Sequence, residues 1–331
     1  MKVLITGSTG FVGSHLSDLL SEAGHQVYSL ARNPNKFSAF NVRGTMIKGD
    51  LPSQGDIGWI DELPSDLDAV VHTAGVVHSF NEELFTNVNA LATKNLIENL
   101  RPKYSNLKFI LVSSLAAVGP SSKGKLHTEE CSTQAISLYG KSKLKAEKYL
   151  EDLAPKEWST SIIRPPMVIG PRDTGVLDVF KMVNSRFVLF AGLNAKAKEY
   201  SFICVYDLIQ VIKKAVETQE KMHNESFFAS HPQVITMELL IDMIKTTMNK
   251  STLNLVVPFS FVKVLAHTLD TARKVIPIEF RLTPDKLYEL EPDSWTCSGQ
   301  KSVEVLNMNY EWDLYKTIKV TYEDYKTRGW L

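Results

Sequence analysis

The sequence predicts an α/β fold, a doubly wound parallel sheet with a smaller, discontinuous C-terminal lobe. Three observations predict it. Short apolar runs alternate with stretches of helical period from residue 2 to about 165, the pattern of a parallel sheet covered by helices on both faces. The first run, Val3-Leu4-Ile5, leads through Gly7, Gly10 and Gly13 into Val12, Leu16, Leu19, Leu20 and Ala23, a helix stopped by Gly24. Beyond residue 170 the alternation breaks. The predicted division is therefore 1–170 for the sheet domain, with 199–230 returning to it, and 171–198 plus 231–331 for the lobe.

The glycine turn is the first element with a chemical meaning. Gly7 allows a sharp bend, Gly10 has no side chain to keep a phosphate from the backbone, and Gly13 lets the helix lie close to the strand. The helix N-terminus then offers free N–H groups and the positive end of its dipole to an anion. Placed between a buried strand and an amphipathic helix, this spacing is read as a dinucleotide turn of the Rossmann type.

The next elements follow in order. His25–Ala31 is a strand that ends at Arg32-Asn33-Pro34, where an adenosine ribose is read. An acid there repels a 2′-phosphate. Arg32, with Lys36 nearby, favours one through charge-assisted bonds, so NADP is preferred, with NAD left possible. Thr45–Lys48 is a third strand, and Asp50 of Gly49-Asp50-Leu51 is placed to accept from an adenine amino group. Asp68–Thr73 is a buried strand running into Ala74-Gly75, small residues that let the backbone pass close to a ribose. Glu82–Leu100 is one long helix with Leu84, Val88, Leu91, Ala92 and Leu96 on its apolar stripe and Asn89 and Asn95 within it. Lys108–Ser113 is a strand ending in Ser113-Ser114. A helix opens at Leu138 and runs through Leu153. Trp158–Arg164 is a strand stopped by Pro165-Pro166.

In the C-terminal half, Glu199–Val205 reads as a strand returning to the main sheet and Asp207–Glu217 as a helix. Helices are predicted at Met237–Met248 and Pro258–Arg273. The second is apolar through Phe259, Phe261, Val262, Leu265 and Leu269. It is read as core of the lobe, with a membrane-surface helix as the alternative.

Composition excludes several classes. The 331 residues carry 37 Lys+Arg and 37 Asp+Glu, so no basic face is implied and nucleic acid is not an expected partner. Cys131, Cys204 and Cys297 lie far apart with no CxxC, which suits a reducing compartment without disulfide frame or zinc site. The first strand starts at residue 2, leaving no room for a signal peptide. The apolar stretch Ser251–Val262 is shorter than the ~17–25 residues that span a bilayer. A cytoplasmic protein with no membrane span is the expectation.

Tyr139 and Lys143 are four apart, so on a helix they share a face. An ammonium beside a phenol stabilises the phenolate and lowers a pKa that is ordinarily ~10. Tyr139 can then exchange a proton with a carbonyl or alcohol oxygen, and Lys143 can also bond a cofactor ribose. Ser114, at a neighbouring strand end, can hold the same substrate oxygen.

In chain order the motifs are Thr6-Gly7-Ser8-Thr9-Gly10-Phe11-Val12-Gly13, then Asn89-x-x-Ala92-Thr93-x-Asn95-Leu96. Val112-Ser113-Ser114, Tyr139-Gly140-Lys141-Ser142-Lys143 and Arg164-Pro165-Pro166-x-Val168-x-Gly170-Pro171 follow. Together they resemble the extended short-chain dehydrogenase/reductases of the NAD-dependent epimerase/dehydratase family, over nearly the whole chain. The resemblance implies Ser114, Tyr139 and Lys143 as the catalytic set. It implies cofactor contacts at Gly7, Thr9, Gly10, Phe11, Val12, Arg32, Asp50, Leu51, Thr73, Ala74 and Gly75. Residues around Pro165–Val168 would border the nicotinamide, and the helices at 82–100 and 138–153 would build a homodimer. Sugar-nucleotide dehydratases place acids after the catalytic Ser/Thr, where this chain has Leu115 and Ala116. Sugar-nucleotide epimerases often carry Tyr before the loop glycine and Arg before the later strand, where this chain has Val118 and Tyr200. Arg32-Asn33-Pro34 and Tyr200-Ser201-Phe202 are more similar to the dihydroflavonol reductase and 3β-hydroxysteroid dehydrogenase-like branch. The expected activity is NADP-preferring hydride transfer to or from a small-molecule carbonyl or secondary alcohol. The alternatives are a nucleotide-sugar epimerase with retained NAD and a non-catalytic NADP-sensing protein.

Overall fold

Buried apolar runs with no polar face can only be satisfied inside a sheet covered on both sides, and the central strands of a seven-stranded sheet are such runs here. The computed structural model describes residues 1–79, 81–272 and 282–331. The strands are β1 (Lys2–Thr6), β2 (Gln26–Ala31), β3 (Thr45–Lys48), β4 (Ala69–His72), β5 (Lys108–Val112), β6 (Ser159–Arg164), β7 (Met167–Ile169), β8 (Phe187–Ala191), β9 (Glu199–Cys204), β10 (Glu225–Phe228), β11 (Val234–Thr236), β12 (Leu253–Val257) and β13 (Ser294–Trp295). The main sheet runs β10-β6-β5-β4-β1-β2-β3, and every pair in it is parallel. The order reverses between β1 and β4, so a crevice opens there beyond the strand C-termini.

The helices are α1 (Phe11–Glu22), α2 (Pro34–Ala39), α3 (Glu82–Phe85), α4 (Ala92–Leu100), α5 (Leu138–Leu153), α6 (Leu177–Asn184), α7 (Val205–Glu217), α8 (Met237–Met248), α9 (Phe259–Ala272), α10 (Pro284–Leu290), α11 (Gln300–Leu306) and α12 (Leu314–Thr327). Strand alternation sorts the core. Val3 and Ile5 pack with residues of α1 and α7 on one face. Leu4 packs with residues of α4 and α5 on the other.

Three expectations are corrected. β9 does not join the main sheet: it pairs with β7, β11 and β13 in a separate small sheet, and β10 takes the edge position beside β6. Pro165 and Pro166 have no N–H for a ladder, so the chain leaves the main sheet after Arg164 and starts the small one at Met167. The helix predicted over Glu82–Leu100 contains a π-helical turn at Thr86–Leu91. The wider turn rotates the stripe, so that Phe85 and Asn89 face inward while Leu84 is exposed. The apolar helix α9 buries only Val262 and Ala266; Arg273, its predicted last residue, lies outside the described residues.

Two buried polar devices tie helices to the sheet. Arg164, the last residue of β6, donates from Nε to Glu147 Oε1 at 3.1 Å and from Nη2 to Oε2 at 2.7 Å, and both side chains are buried. His72, the last residue of β4, lies between Thr6 Oγ1 at 2.7 Å and Thr93 Oγ1 at 2.9 Å. Thr93 spends its hydroxyl proton on the carbonyl of Asn89. It must therefore accept from His72 Nε2–H, which leaves Nδ1 to accept from Thr6. The ring is fixed neutral, and burial beside Lys143 pushes its pKa down to about 3.

Two outcomes follow. Glu147→Ala leaves a buried guanidinium unpaired and is expected to cost about 3–5 kcal/mol in urea unfolding. Removing the exposed partner of Lys196, Glu238, changes stability by under about 1 kcal/mol; equal effects would contradict the assignment. His15 and His72 have folded pKa values lowered to about 4 and about 3 from 6.5. The unfolded chain takes up protons that these rings refuse, so their contribution is full above pH 6.5 and is lost as pH falls below it. Unfolding free energy is expected to fall from pH 6.5 to 5, less steeply in His72→Gln; an unchanged slope would count against the neutral buried ring.

Candidate functional site

The glycine turn is shaped by contacts that exclude a side chain. Gly7 has φ +72°, and a Cβ on it would lie 2.7 Å from the amide nitrogen of Ala74 and 2.8 Å from Thr73 Oγ1. A Cβ on Gly13 would come within 2.3 Å of the Gly7 carbonyl oxygen. Gly10 is different, because its Cβ would meet only that carbonyl, at 3.1 Å. Gly10 caps α1 with no side chain bonded to the helix end. The turn is thus closed by Gly7 and Gly13 from behind and open at Gly10 and Phe11, which fits a diphosphate laid on the helix N-terminus.

Thr9, partly exposed, completes this turn. Thr73 donates to the carbonyl of Thr6 at 2.7 Å, which keeps Thr73 and Ala74 against Gly7. A Cβ on Gly75 would lie 2.9 Å from Asn89 Oδ1 and 3.8 Å from Lys143 Nζ. Asn89 clamps this loop: its Oδ1 accepts from Val76 N at 2.8 Å, and its Nδ2 donates to Val76 O and to Ser142 Oγ, both at 2.9 Å. The polar residue inside the long helix is therefore a staple between the loop after β4 and α5.

At the other end of the crevice, Arg32 and Asp50 are exposed and face each other, with Arg32 Nε 3.7 Å from Asp50 Oδ1. Asp50 Oδ1 accepts from Leu51 N at 2.8 Å. These three lie off the ends of β2 and β3, apart from the reactive cavity.

Ser114, Tyr139 and Lys143 are brought together by α5 and the turn after β5. Ser114 caps the short 3₁₀ turn Leu115–Ala117 and accepts from Ala116 N at 3.1 Å. A Cβ on Gly140 would lie 2.2 Å from the Ala116 carbonyl oxygen, so only glycine lets α5 press on that turn. The approach brings Tyr139 and Ser114 to the wall of one cavity. One helical turn on, buried Lys143 donates from Nζ to the carbonyl of Val112, the last residue of β5, at 2.6 Å.

The electrostatics differ from the sequence expectation in one respect. Burial pushes the Tyr139 phenol up to about 12, with the nearby Ser114 hydroxyl opposing it and Glu289 adding to it. Burial pulls Lys143 down to about 8, with Glu147 opposing. The ammonium is turned to a strand carbonyl, and desolvation governs the phenol. The phenol is therefore held as a proton donor at neutral pH.

These groups face a cavity of about 510 Å³. Of the predicted site residues, Phe11, Val12, Thr73, Gly75, Ser114, Tyr139, Lys143, Pro165 and Val168 border it. Gly7, Thr9, Gly10, Ala74, Arg32, Asp50 and Leu51 do not. The far wall is largely apolar, with Val176, Val179, Leu240, Leu290 and Trp295, and includes Tyr200 where a relative's arginine was looked for.

Sequence reasoning missed α10. Its Asp285 accepts from the backbone N of Leu138 at 2.8 Å, and its Glu289 accepts from Ser137 Oγ at 2.8 Å. Glu289 also pairs with Lys286 at the cavity edge. The lobe thereby caps the helix that carries Tyr139 across some 150 residues of chain, and no local pattern signals a cap supplied from that distance.

The fold and this geometry agree with what the chain is similar to. The family model described as NAD dependent epimerase/dehydratase family matches residues 3–228. A decarboxylating sterol-4-alpha-carboxylate 3-dehydrogenase of Schizosaccharomyces pombe is 27% identical over 246 residues, 71% of each chain. A ceramide reductase of Caulobacter vibrioides is 32% identical over 181 residues, 54% of this chain and 50% of that one. The structure of a UDP-glucuronic acid 4-epimerase from Bacillus cereus, in complex with UDP-glucuronic acid and NAD, superposes with a TM-score of 0.76 at 20% identity. That match covers 99% of this chain and all of the other. The chain belongs to the NAD-dependent epimerase/dehydratase family, as an extended short-chain dehydrogenase/reductase type of NAD(P)-dependent oxidoreductase or epimerase.

Proposed function

We propose that the protein is an NADP-preferring oxidoreductase acting on the carbonyl or secondary alcohol of an apolar small molecule, with Tyr139 as acid/base. One observation carries the reading: Tyr139, Ser114 and Lys143 border one mainly apolar cavity, with Lys143 one helical turn from Tyr139. A bound dinucleotide supplies or accepts the hydride at the substrate carbon and, when oxidised, a positive ring that favours the phenolate. Tyr139 donates its phenolic proton to the carbonyl oxygen, so one proton and one hydride convert the ketone to the alcohol. Ser114 holds the same oxygen by a second hydrogen bond. Lys143, bonded here to the Val112 carbonyl, would hold the ribose of a bound dinucleotide, and its charge would offset the one Tyr139 acquires. Val12, Pro165 and Val168, which border the cavity, would keep water from the redox ring.

The apolar wall supports an apolar substrate over a nucleotide sugar, and relatives named for sterol and ceramide substrates agree in kind. Leu115 and Ala116, buried after Ser114, offer no acid for water elimination. A second reading, an epimerase that oxidises and re-reduces its substrate on retained NAD, has the support of a UDP-glucose 4-epimerase of Yersinia pestis. That relative is 32% identical over 191 residues. Net turnover of added cofactor separates the two, since an epimerase consumes none. A cofactor-sensing protein without chemistry is the third case, and loses nothing when the phenol is removed.

Tyr139→Phe is expected to lower kcat about 10²–10⁴-fold with dinucleotide affinity within about twofold, read with a panel of apolar ketones by nicotinamide absorbance. Unchanged turnover would refute the acid/base role. Among the described residues Arg32 is held only by an exposed pair, which is weak, so it can turn to meet a 2′-phosphate. Arg32→Ala is expected to weaken NADPH binding about 10- to 100-fold and leave NADH binding unchanged. Equal affinity of the parent protein for the two cofactors would reject the preference.

A further inference from the structure

The two-stranded sheet of β8 and β12 has one face partly in the core, through β8, with Val256 of β12 left exposed there, and one face outside it. Val188 and Phe190 point into the cluster formed with α6 and α8. On the opposite face the register pairs Phe187 with Leu253 and Leu189 with Leu255, and all four side chains are exposed. The same face continues through Ala191 and Val257, which pack against Val262 and Ala266 of α9. The helix therefore covers only the far end of the sheet. Its own outer side carries Phe261, Val264 and Leu265, at 59%, 65% and 40% exposure, and Leu193 beside its start is 84% exposed. Eight large apolar side chains are thus exposed on one sheet and the helix packed against it, more than the scattered single residues normal on a protein exterior.

Its charge identifies the occupant. Residues 185–198 and 249–272, which build this surface, bring four cations to solvent (Arg186, Lys196, Lys250 and Lys263) and one carboxylate, Asp270, while Glu238 and Glu291 reach two of the cations from outside, in a chain of zero net charge. Lys198 is buried. Lys196 pairs with Glu238 at 3.2 Å and Lys263 with Glu291 at 2.7 Å, both exposed, and such pairs yield readily to a better anion. A second copy docked on a two-fold axis would bring like charge against like charge. An anionic lipid surface takes both features at once: acyl chains receive the aromatic and aliphatic side chains, and headgroups meet the cations.

We propose that the face formed by β8, β12 and α9 is a peripheral docking surface for anionic membranes. α9 packs through Val262 and Ala266 on Leu287 of α10, whose Leu290 borders the reactive cavity, so the docked face lies one helix away from that cavity. The proposal rests on this surface alone and stands or falls apart from the reductase reading. The test is co-sedimentation of the full chain with vesicles of phosphatidylcholine alone and of phosphatidylcholine with phosphatidylglycerol. The parent protein is expected to bind the anionic vesicles at least tenfold more tightly than the neutral ones. Phe261→Ser/Val264→Ser/Leu265→Ser is expected to lose at least tenfold of that binding, with thermal midpoint and NADPH affinity kept. Phe187→Ser/Leu253→Ser is the second variant if the first fails to fold. Absence of vesicle binding, or variants that bind like the parent, would overturn the proposal. So would a dimer that the same substitutions dissociate, since a second copy would then cover the face.

Discussion

The buried bidentate pair between Arg164 and Glu147 is the constraint on which the site depends. It joins the end of β6 to the helix that carries Tyr139 and Lys143, and both charges lie where water does not reach. Neither can be left alone, because an unpaired buried charge costs more than the pair gains. Glu147 is one helical turn from Lys143, so the same carboxylate that fixes the helix also helps keep that lysine charged against desolvation. At the other end of the helix, Gly140 lets the backbone press on the turn after Ser114. Asp285 and Glu289 bond Leu138 and Ser137 from the lobe. Position in this site is thus set by three contacts along one helix, two of them ionic or charge-assisted and one steric.

Much of this was legible in the sequence. The buried strand, glycine turn and helix at the N-terminus stand where the pattern puts them, because buried parallel strands and amphipathic helices leave different periods. Met237–Met248 is a helix over the predicted span. Pairing was less legible. β9 is as apolar as a main-sheet strand, yet it pairs with β7 and β11, and nothing in its residues names its neighbour. The π-helical turn at Thr86–Leu91 rotated a stripe read with a uniform period, so Leu84 was placed inward where Phe85 belongs.

Within the site, residue types were legible and their electrostatics were not. Spacing put Tyr139 and Lys143 on one face, but it did not show that Lys143 is turned to the Val112 carbonyl. Burial then governs the phenol and keeps it protonated. Such a site favours proton donation as it stands, while proton removal needs added positive charge nearby. The clamp by Asn89 and the cap from α10 escaped notice for another reason. Both join segments far apart in the chain, through polar side chains that in isolation read as solvated.

The claim beneath this account is that a dinucleotide lies along the open Gly10 edge with its redox ring beside Tyr139. A crystal structure of the complex with NADPH tests it most directly. The account requires the diphosphate on the backbone amides of Phe11 and Val12 and the Lys143 ammonium moved from Val112 to ribose hydroxyls. Density for the ring away from Tyr139 and Ser114, or for the diphosphate off the glycine turn, would contradict it.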